Sequence, residues 1–237
     1  DSYTADNNTF SGITVNNNYN YGFYLRYSDT NTLQNITSNS NSQYGIYISS
    51  SSSNTLQNIT SNSNQNYGIY ISSSSSNTLQ NITSNSNQNY GIYISSSSSN
   101  ILQSITSNSN DYGICLSSSS SNILQSITSQ NSQYGIYILY NSDNNTINDS
   151  RILNNTEAGI WLDESGTSDP EFNLIYNNIF NNSGTHGNLW IDDGITGENY
   201  FNTSLNCSTQ NIIGGPCIGG NYWTNSSGTE FSDTCSD

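Results

Sequence analysis

The residues able to do chemistry in this chain are few. The adjacent acids Asp192 and Asp193 lie close to Thr185, His186 and Gly187. Paired carboxyl groups are what acid–base cleavage of a glycosidic bond requires. Neighbouring residues of a strand point to opposite faces, however, so Asp192 and Asp193 read as a turn rather than a dyad. Arg151 is the one candidate strong base in the later part of the chain, and no acidic cluster stands beside it in sequence. Asp163, Glu164, Asp169 and Glu171 interrupt a repeat with oxygen ligands that could hold calcium. They lack the Asp-x-Asp-x-Asp-Gly spacing, which favours a solvated acidic loop.

The elements that must position these groups come from a repeat. The segment NTLQNIT begins at Asn31, Asn54 and Asn77, a spacing of 23, and its variant NILQSIT begins at Asn100 and Asn122. Each copy leads into YGIYI or a relative, at Tyr21, Tyr44, Tyr67, Tyr90, Tyr112 and Tyr134, and then into serines. Ala158–Leu162, Asn173–Ile175 and Asn188–Ile191 carry the pattern on in weaker form. A period of this length, with short β-prone segments and no helical pattern, means a solenoid. Leu33 and Ile36 are three apart, so a bend must separate them, and Asn35 tolerates the left-handed backbone a bend needs. The Gly of YGIYI with the SNSN run, and the serine run, supply two further corners. The expected fold is all-β: a right-handed parallel β-helix of about eight or nine coils, with a period of about 23 residues. Each coil turns about four aliphatics inward, for example Leu56, Ile59, Ile69 and Ile71. One domain spans 1–237, with near-regular coils over 1–143, irregular coils with the acidic insertion over 144–205, and a Cys-containing closing segment over 206–237.

One coil cannot stand alone. Burying four aliphatics gains about 6–12 kcal/mol, whereas ordering the backbone of a whole coil costs about 1–2 kcal/mol per residue. Stacking in register, with ladders of like Asn, Ser, Thr and Tyr side chains, must supply the difference.

The coils carrying NxI…YGIYI resemble the NosD-like (CASH-type) β-helix repeats over essentially the whole chain. The tail (Asn211–Pro216, Gly219–Trp223, then Gly228–Cys235) resembles the close of such repeats in surface proteins of methanogenic archaea, the sheath subunits of filamentous methanogens among them. Nothing in the sequence resembles the copper site for which NosD is named. The first six coils are near-identical and lack an embedded site, as a scaffold requires, and with the resemblance this implies a structural subunit of an extracellular sheath or surface layer. Such a subunit would assemble with copies of itself through β-helix ends or edges, with no cofactor and no catalysis. The alternative is a secreted β-helix that binds or processes polysaccharide.

Outward-facing residues bear on that choice. Tyr47, Tyr70, Tyr93, Tyr137 and Trp161 form one stripe, and Tyr44, Tyr67, Tyr90, Tyr112 and Tyr134 a second. They are candidates for sugar stacking, for a subunit interface or for packing within the ladder. Cys115 takes an outward tyrosine's place, some four coils from Cys207, Cys217 and Cys235, too far for an intrachain bond. An even cysteine count outside the cytoplasm points to disulfides; Cys115 is either a link to a neighbouring subunit or a free thiol. Eleven glycan acceptor sites (Asn7, Asn35, Asn58, Asn81, Asn144, Asn148, Asn154, Asn181, Asn202, Asn206 and Asn225) suit a cell-surface protein.

Charge narrows the partners. The chain of 237 residues holds 17 acids against Arg26, Arg151 and no lysine, for a net charge of −15. Such a surface cannot neutralise phosphates, which excludes nucleic acid and disfavours anionic membranes. No stretch approaches the ~20 apolar residues of a membrane span. Asp1 reads as a processed or trimmed end.

Overall fold

The computed structural model describes residues 4–164 and 168–225. Among these residues there is no helix, and two parallel sheets wind into a β-helix of about seven turns. One sheet collects the TLQNIT segments in eleven strands: Thr9–Ser11, Thr32–Thr37, Thr55–Thr60, Thr78–Thr83, Ile101–Thr106, Ile123–Gln130, Thr146–Asn148, Arg151–Leu153, Leu174–Tyr176, Ile179–Asn181 and Tyr222–Thr224. The other collects the YGIYI segments in eight: Tyr21–Arg26, Tyr44–Ser49, Tyr67–Ser72, Tyr90–Ser95, Tyr112–Ser117, Tyr134–Leu139, Ala158–Asp163 and Gly187–Ile191.

Register follows the repeat. Ile46 pairs with Ile69 and Ile69 with Ile92, while Leu33, Leu56 and Leu79 align in the facing sheet. Leu56, Ile59, Ile69 and Ile71 are at most 1% exposed, so the inward set is the one the spacing gives. The bend between Leu33 and Ile36 sits on Asn35 (φ 53°), and Asn58 and Asn81 repeat it (φ 55° each). In the later coils Asp149 and Asn177 (φ 54° each) make the same bend, and there it divides the strand in two. Ser40 (φ 56°) turns the second corner, and Ser50 and Ser53 (φ 49° and 58°) the third.

The glycine of YGIYI does not turn a corner, contrary to the sequence reading. Gly45 is buried inside its strand, and a Cβ there would collide with Ser61 Oγ of the next coil and approach the Gly68 carbonyl oxygen to 2.7 Å. Only hydrogen fits, because Ser61 Oγ must reach across to donate to the Gly68 carbonyl (2.7 Å).

Polar ladders take up the buried backbone at the corners. Asn31 Nδ2 donates to Asn54 Oδ1, Asn54 to Asn77, Asn77 to Asn100, Asn100 to Asn122 and Asn122 to Asn145, at 3.0–3.2 Å. Each acceptor oxygen also receives the preceding rung's backbone N–H, as from Asn31 to Asn54 at 2.8 Å. A second ladder runs Asn41, Asn64, Asn87, Asn110. A buried amide left without these partners would cost about 1–3 kcal/mol, so register is enforced by polarity as well as by packing.

Candidate functional site on the aromatic face

Alternation along IYIS turns Tyr47 and Ser49 outward while Ile46 and Ile48 enter the core; Tyr44, ahead of the buried Gly45, departs from the alternation and sets its ring beside Tyr47 (5.5 Å). Stacking the coils converts these into three parallel rows. The rings of Tyr24, Tyr47, Tyr70 and Tyr93 lie face to face, 4.8–5.1 Å between centroids and within 7° of parallel. Each ring therefore covers its neighbour's faces. Of the three readings of the stripe, packing within the ladder describes these rungs: Tyr47, Tyr70 and Tyr93 present edges and hydroxyls.

Cys115 breaks the row. It pairs in register with Tyr93 on one side and Tyr137 on the other, the outward tyrosine position the sequence assigns it. Solvent does not reach it, however: the thiol is free and 1% exposed. The smaller side chain leaves a gap, and Tyr90 leans in to stack on Tyr93 (4.8 Å, 17°) while Tyr112 stacks on Tyr137 (5.2 Å, 27°). In the coil before, the equivalent pair Tyr67–Tyr70 meets edge to face at 82°. Burial pushes the Cys115 thiol well up, with the Asp163 charge adding to it, so the group is a neutral thiol and not an exposed cross-link. The tail cysteines Cys207 and Cys217 bond to each other (Cα–Cα 4.0 Å), and Cys235 lies outside the described residues.

Past the gap the face acquires carboxyl groups. Tyr137, Trp161 and Trp190 stack in succession at 4.4 Å, and the His186 ring caps Trp190 at 3.6 Å. Asp163 stands in register with Leu139, at the end of the row that holds Ser49 in the regular coils. The Tyr137 hydroxyl donates to Asp163 Oδ2. One rung on, Trp161 pairs with Trp190 and Leu162 with Ile191, which brings Asp192 beside Asp163. Trp161 Nε1–H donates to Asp192 Oδ1 (3.2 Å). Burial pushes the Asp192 carboxyl up, and a hydrogen bond shared with Asp163 and the Asp163 charge push it further. Two such acids on adjacent rungs cannot both ionise cheaply, which is why the Asp192 carboxyl moves up. A hydrogen-bonded carboxyl pair fixed by a tyrosine and a tryptophan is the arrangement for general acid–base chemistry.

The structure thus pairs the Asp192 carboxyl with Asp163, not with Asp193, and the turn expected from the sequence is also there: the Asp192 carbonyl accepts from Ile195 N–H (3.0 Å) around Asp193 and Gly194. It also separates the acids considered for calcium. Asp163 faces the aromatic row, whereas Asp169 accepts from Thr196 (2.9 Å) in a cleft of about 380 Å³ shared with Asp143 and Glu171. Among the described residues no three His, Cys, Asp or Glu side chains come together as a metal site. Of the glycan acceptors, Asn7, Asn35, Asn58, Asn81, Asn144, Asn154, Asn202 and Asn206 are exposed, and Asn181 and Asn225 half-buried. Asn148 spends its Nδ2 on Asp149 and Tyr176 (3.2 Å each).

The model of the periplasmic copper-binding protein NosD matches residues 1–122 and 100–228. The chain belongs to the NosD family. Its donor set does not fit copper: it holds no methionine and one histidine, and that histidine is stacked on Trp190 away from the buried Cys115. No curated protein matches this NosD-family chain. Among solved structures, it is similar to the mannuronan C-5 epimerase AlgE6 A-module of Azotobacter vinelandii (TM-score 0.73, 12% identity, 82% of this chain and 57% of that one). It is also similar to the periplasmic alginate epimerase AlgG (0.67, 21%, 80% and 49%) and to pectate lyase Pel9A (0.56, 15%, 90% and 62%). The chain spans about half the length of the two epimerases. At these identities the likeness is one of fold. It nonetheless overturns the expectation of a chain without catalysis, since epimerases and a lyase stand on this same stack of coils. That expectation took the uniform early coils as the mark of a bare scaffold, and the acid pair lies beyond them.

Proposed function

We propose that this NosD-family protein processes a polysaccharide outside the cytoplasm, in the periplasm or the extracellular space. The glycan lies across the comb of tyrosine and serine hydroxyls, and the Asp163–Asp192 pair supplies the acid and the base. The hydrogen-bonded carboxyls at the end of the aromatic row, one held by Tyr137 and the other by Trp161, carry this reading. The neighbouring folds support it over a sheath subunit, for which the comparisons offer no counterpart. In this role Asp192 keeps its proton above the ordinary carboxylate range and delivers it to the substrate. As the glycosidic C–O bond breaks and its oxygen takes that proton, the ionised Asp163 accepts a proton from the water that adds to the freed carbon, and proton transfer within the pair resets it.

Incubation of the purified chain with a panel of polysaccharides, followed by chromatography of oligosaccharides and proton NMR of the polymer, tests the proposal. Cleavage or epimerisation that falls about 100-fold or more in Asp192→Asn and Asp163→Asn supports it. Because the raised carboxyl acts in its protonated form, the rate should be highest on the acid side and fall as pH rises through the Asp192 transition. No change in any polymer, or full activity in both variants, would sink it.

A further inference from the structure

The carboxyl pair explains one end of the aromatic face, but the charge distribution over the rest of it says something about the substrate. In six strands of this sheet, from Tyr21–Arg26 to Tyr134–Leu139, the two outward rows after the inner isoleucines hold only Tyr, Cys, Ser, Leu and, at the first rung, Arg26. Arg26 occupies the row that becomes Ser49, Ser72, Ser95, Ser117, Leu139 and finally Asp163. Six rungs separate its Cα from that of Asp163, about 29 Å at the usual strand spacing. Its guanidinium is engaged with Tyr27, 4.7 Å over the ring and donating to the hydroxyl at 3.2 Å. Arg151 lies on the other sheet. Among the described residues, therefore, neither arginine stands beside the acid pair, and the remaining basic side chain, His186, is stacked on Trp190.

Acids, by contrast, gather there. Asp111 and Glu157 border the face where the strands Tyr112–Ser117 and Ala158–Asp163 begin. Asp163 and Asp192 follow, and Glu164 folds over Gly194 just beyond Asp192. A polyuronate laid along this face would bring one carboxylate per sugar against the carboxyl groups of Asp163, Asp192 and Glu164, in a chain with no lysine and two arginines. Each such approach is unfavourable at close range, and the cleft's field repels the polymer before contact. Neutral hydroxyls suit the face well: the exposed edges of Tyr47, Tyr70 and Tyr93 and the row Ser49, Ser72, Ser95 offer donors and acceptors at a fixed spacing along the stack.

Resting on the polysaccharide reading above, we infer that the substrate is an uncharged glycan, unlike the alginate and pectate named for its structural neighbours. Its sugar hydroxyls meet the tyrosine and serine rows while the acid pair works at one end.

Native gel electrophoresis of the intact chain through gels containing a single polymer tests this. The polymers are neutral glucan, mannan and galactan, the polyuronates polymannuronate and polygalacturonate, and a deacetylated amino-glycan. The expected result is retardation by at least one neutral polymer, unchanged between low and high salt, and none by either polyuronate at low salt. Tyr47→Phe with Tyr70→Phe keeps the stacked rings and removes two hydroxyls, and should weaken retardation several-fold. Ser72→Arg with Ser95→Arg should create low-salt retardation by polyuronate. Retardation by a polyuronate but by no neutral polymer, or stronger retardation by the amino-glycan than by any neutral one, would overturn the inference while leaving the polysaccharide reading intact. Retardation by no polymer at all would bring down both.

Discussion

The coils before and after residue 143 are built on one repeat, yet they put their outward groups to different use. Between Thr32 and Ser95 the paired outward groups of the strands meet their own kind on the next rung: Tyr47 meets Tyr70, Ser49 meets Ser72, and Gln57 donates to Gln80. Each polar or aromatic group is spent on a copy of itself. In the later coils the copies disappear. Asp163 takes the serine position, tryptophans replace tyrosines, and the interval between equivalent residues lengthens to 28 where Asn145 meets Asn173. Unlike neighbours then face one another, and acid meets acid. Repetition makes a stack stable, and its interruption makes groups available for chemistry.

The comparison can be broken most severely in the early coils. Gly68→Val should destabilise the chain by about 4 kcal/mol, since its Cβ would collide with Ser84 Oγ and crowd the Gly91 carbonyl. Chemical denaturation followed by circular dichroism measures this, and a loss under about 1 kcal/mol would mean the coils do not stack as described. Gly187→Ala provides the contrast in the later coils: no heavy atom lies within 4 Å of its Cβ, and only the φ of 69° opposes the change, at about 1 kcal/mol. Asn77→Ala should cost about 2–3 kcal/mol by leaving Asn54's N–H groups without their acceptor.

High pH probes the aromatic row. Burial, followed by its neighbours' charges, pushes the Tyr67 hydroxyl up to about 12, and the Tyr44, Tyr90, Tyr93 and Tyr112 hydroxyls move the same way. The unfolded hydroxyls titrate near ~10, so over the intervening range the folded state binds more protons than the unfolded one. The stability these groups contribute is fully present below pH ~10 and is lost as pH rises through the folded values. Melting temperature followed from pH 8 to 12 should be flat and then fall. The smallest effect belongs to Cys115→Tyr, which restores the row and lets Tyr90 and Tyr112 return to edge-on packing. Its stability should stay within about 1 kcal/mol of the parent, and near-ultraviolet circular dichroism should register the changed ring geometry.

Much of the fold could be read from spacing alone. Leu33 and Ile36, three apart, demanded the bend found at Asn35, and the 23-residue period aligned Ile46, Ile69 and Ile92. The role of Gly45 was hidden because a glycine needed for close approach looks the same in sequence as one needed for a turn. The burial of Cys115 was hidden for a related reason: its position was legible, but the leaning of Tyr90 into the space it leaves depends on packing between rungs. The acid pair was the least legible part. Asp163 and Asp192 lie on either side of the insertion that breaks the period, so only the pairing of Trp161 with Trp190 shows them to be neighbours.

The buried asparagine ladders also have a direction. Every amide from Asn31 to Asn122 offers its NH2 toward the later rung and its oxygen toward the earlier one, and the backbone N–H groups donating into those oxygens fix that orientation. Gln34, Gln57, Gln80 and Gln103 point the same way. Aligned head to tail, these small dipoles give the column a polarity along its axis, as peptide units do in a helix. The positive pole lies toward the later coils, where ten of the acids among the described residues fall, from Asp143 to Glu198, so the interior of the column helps to hold the negative charge collected at that end.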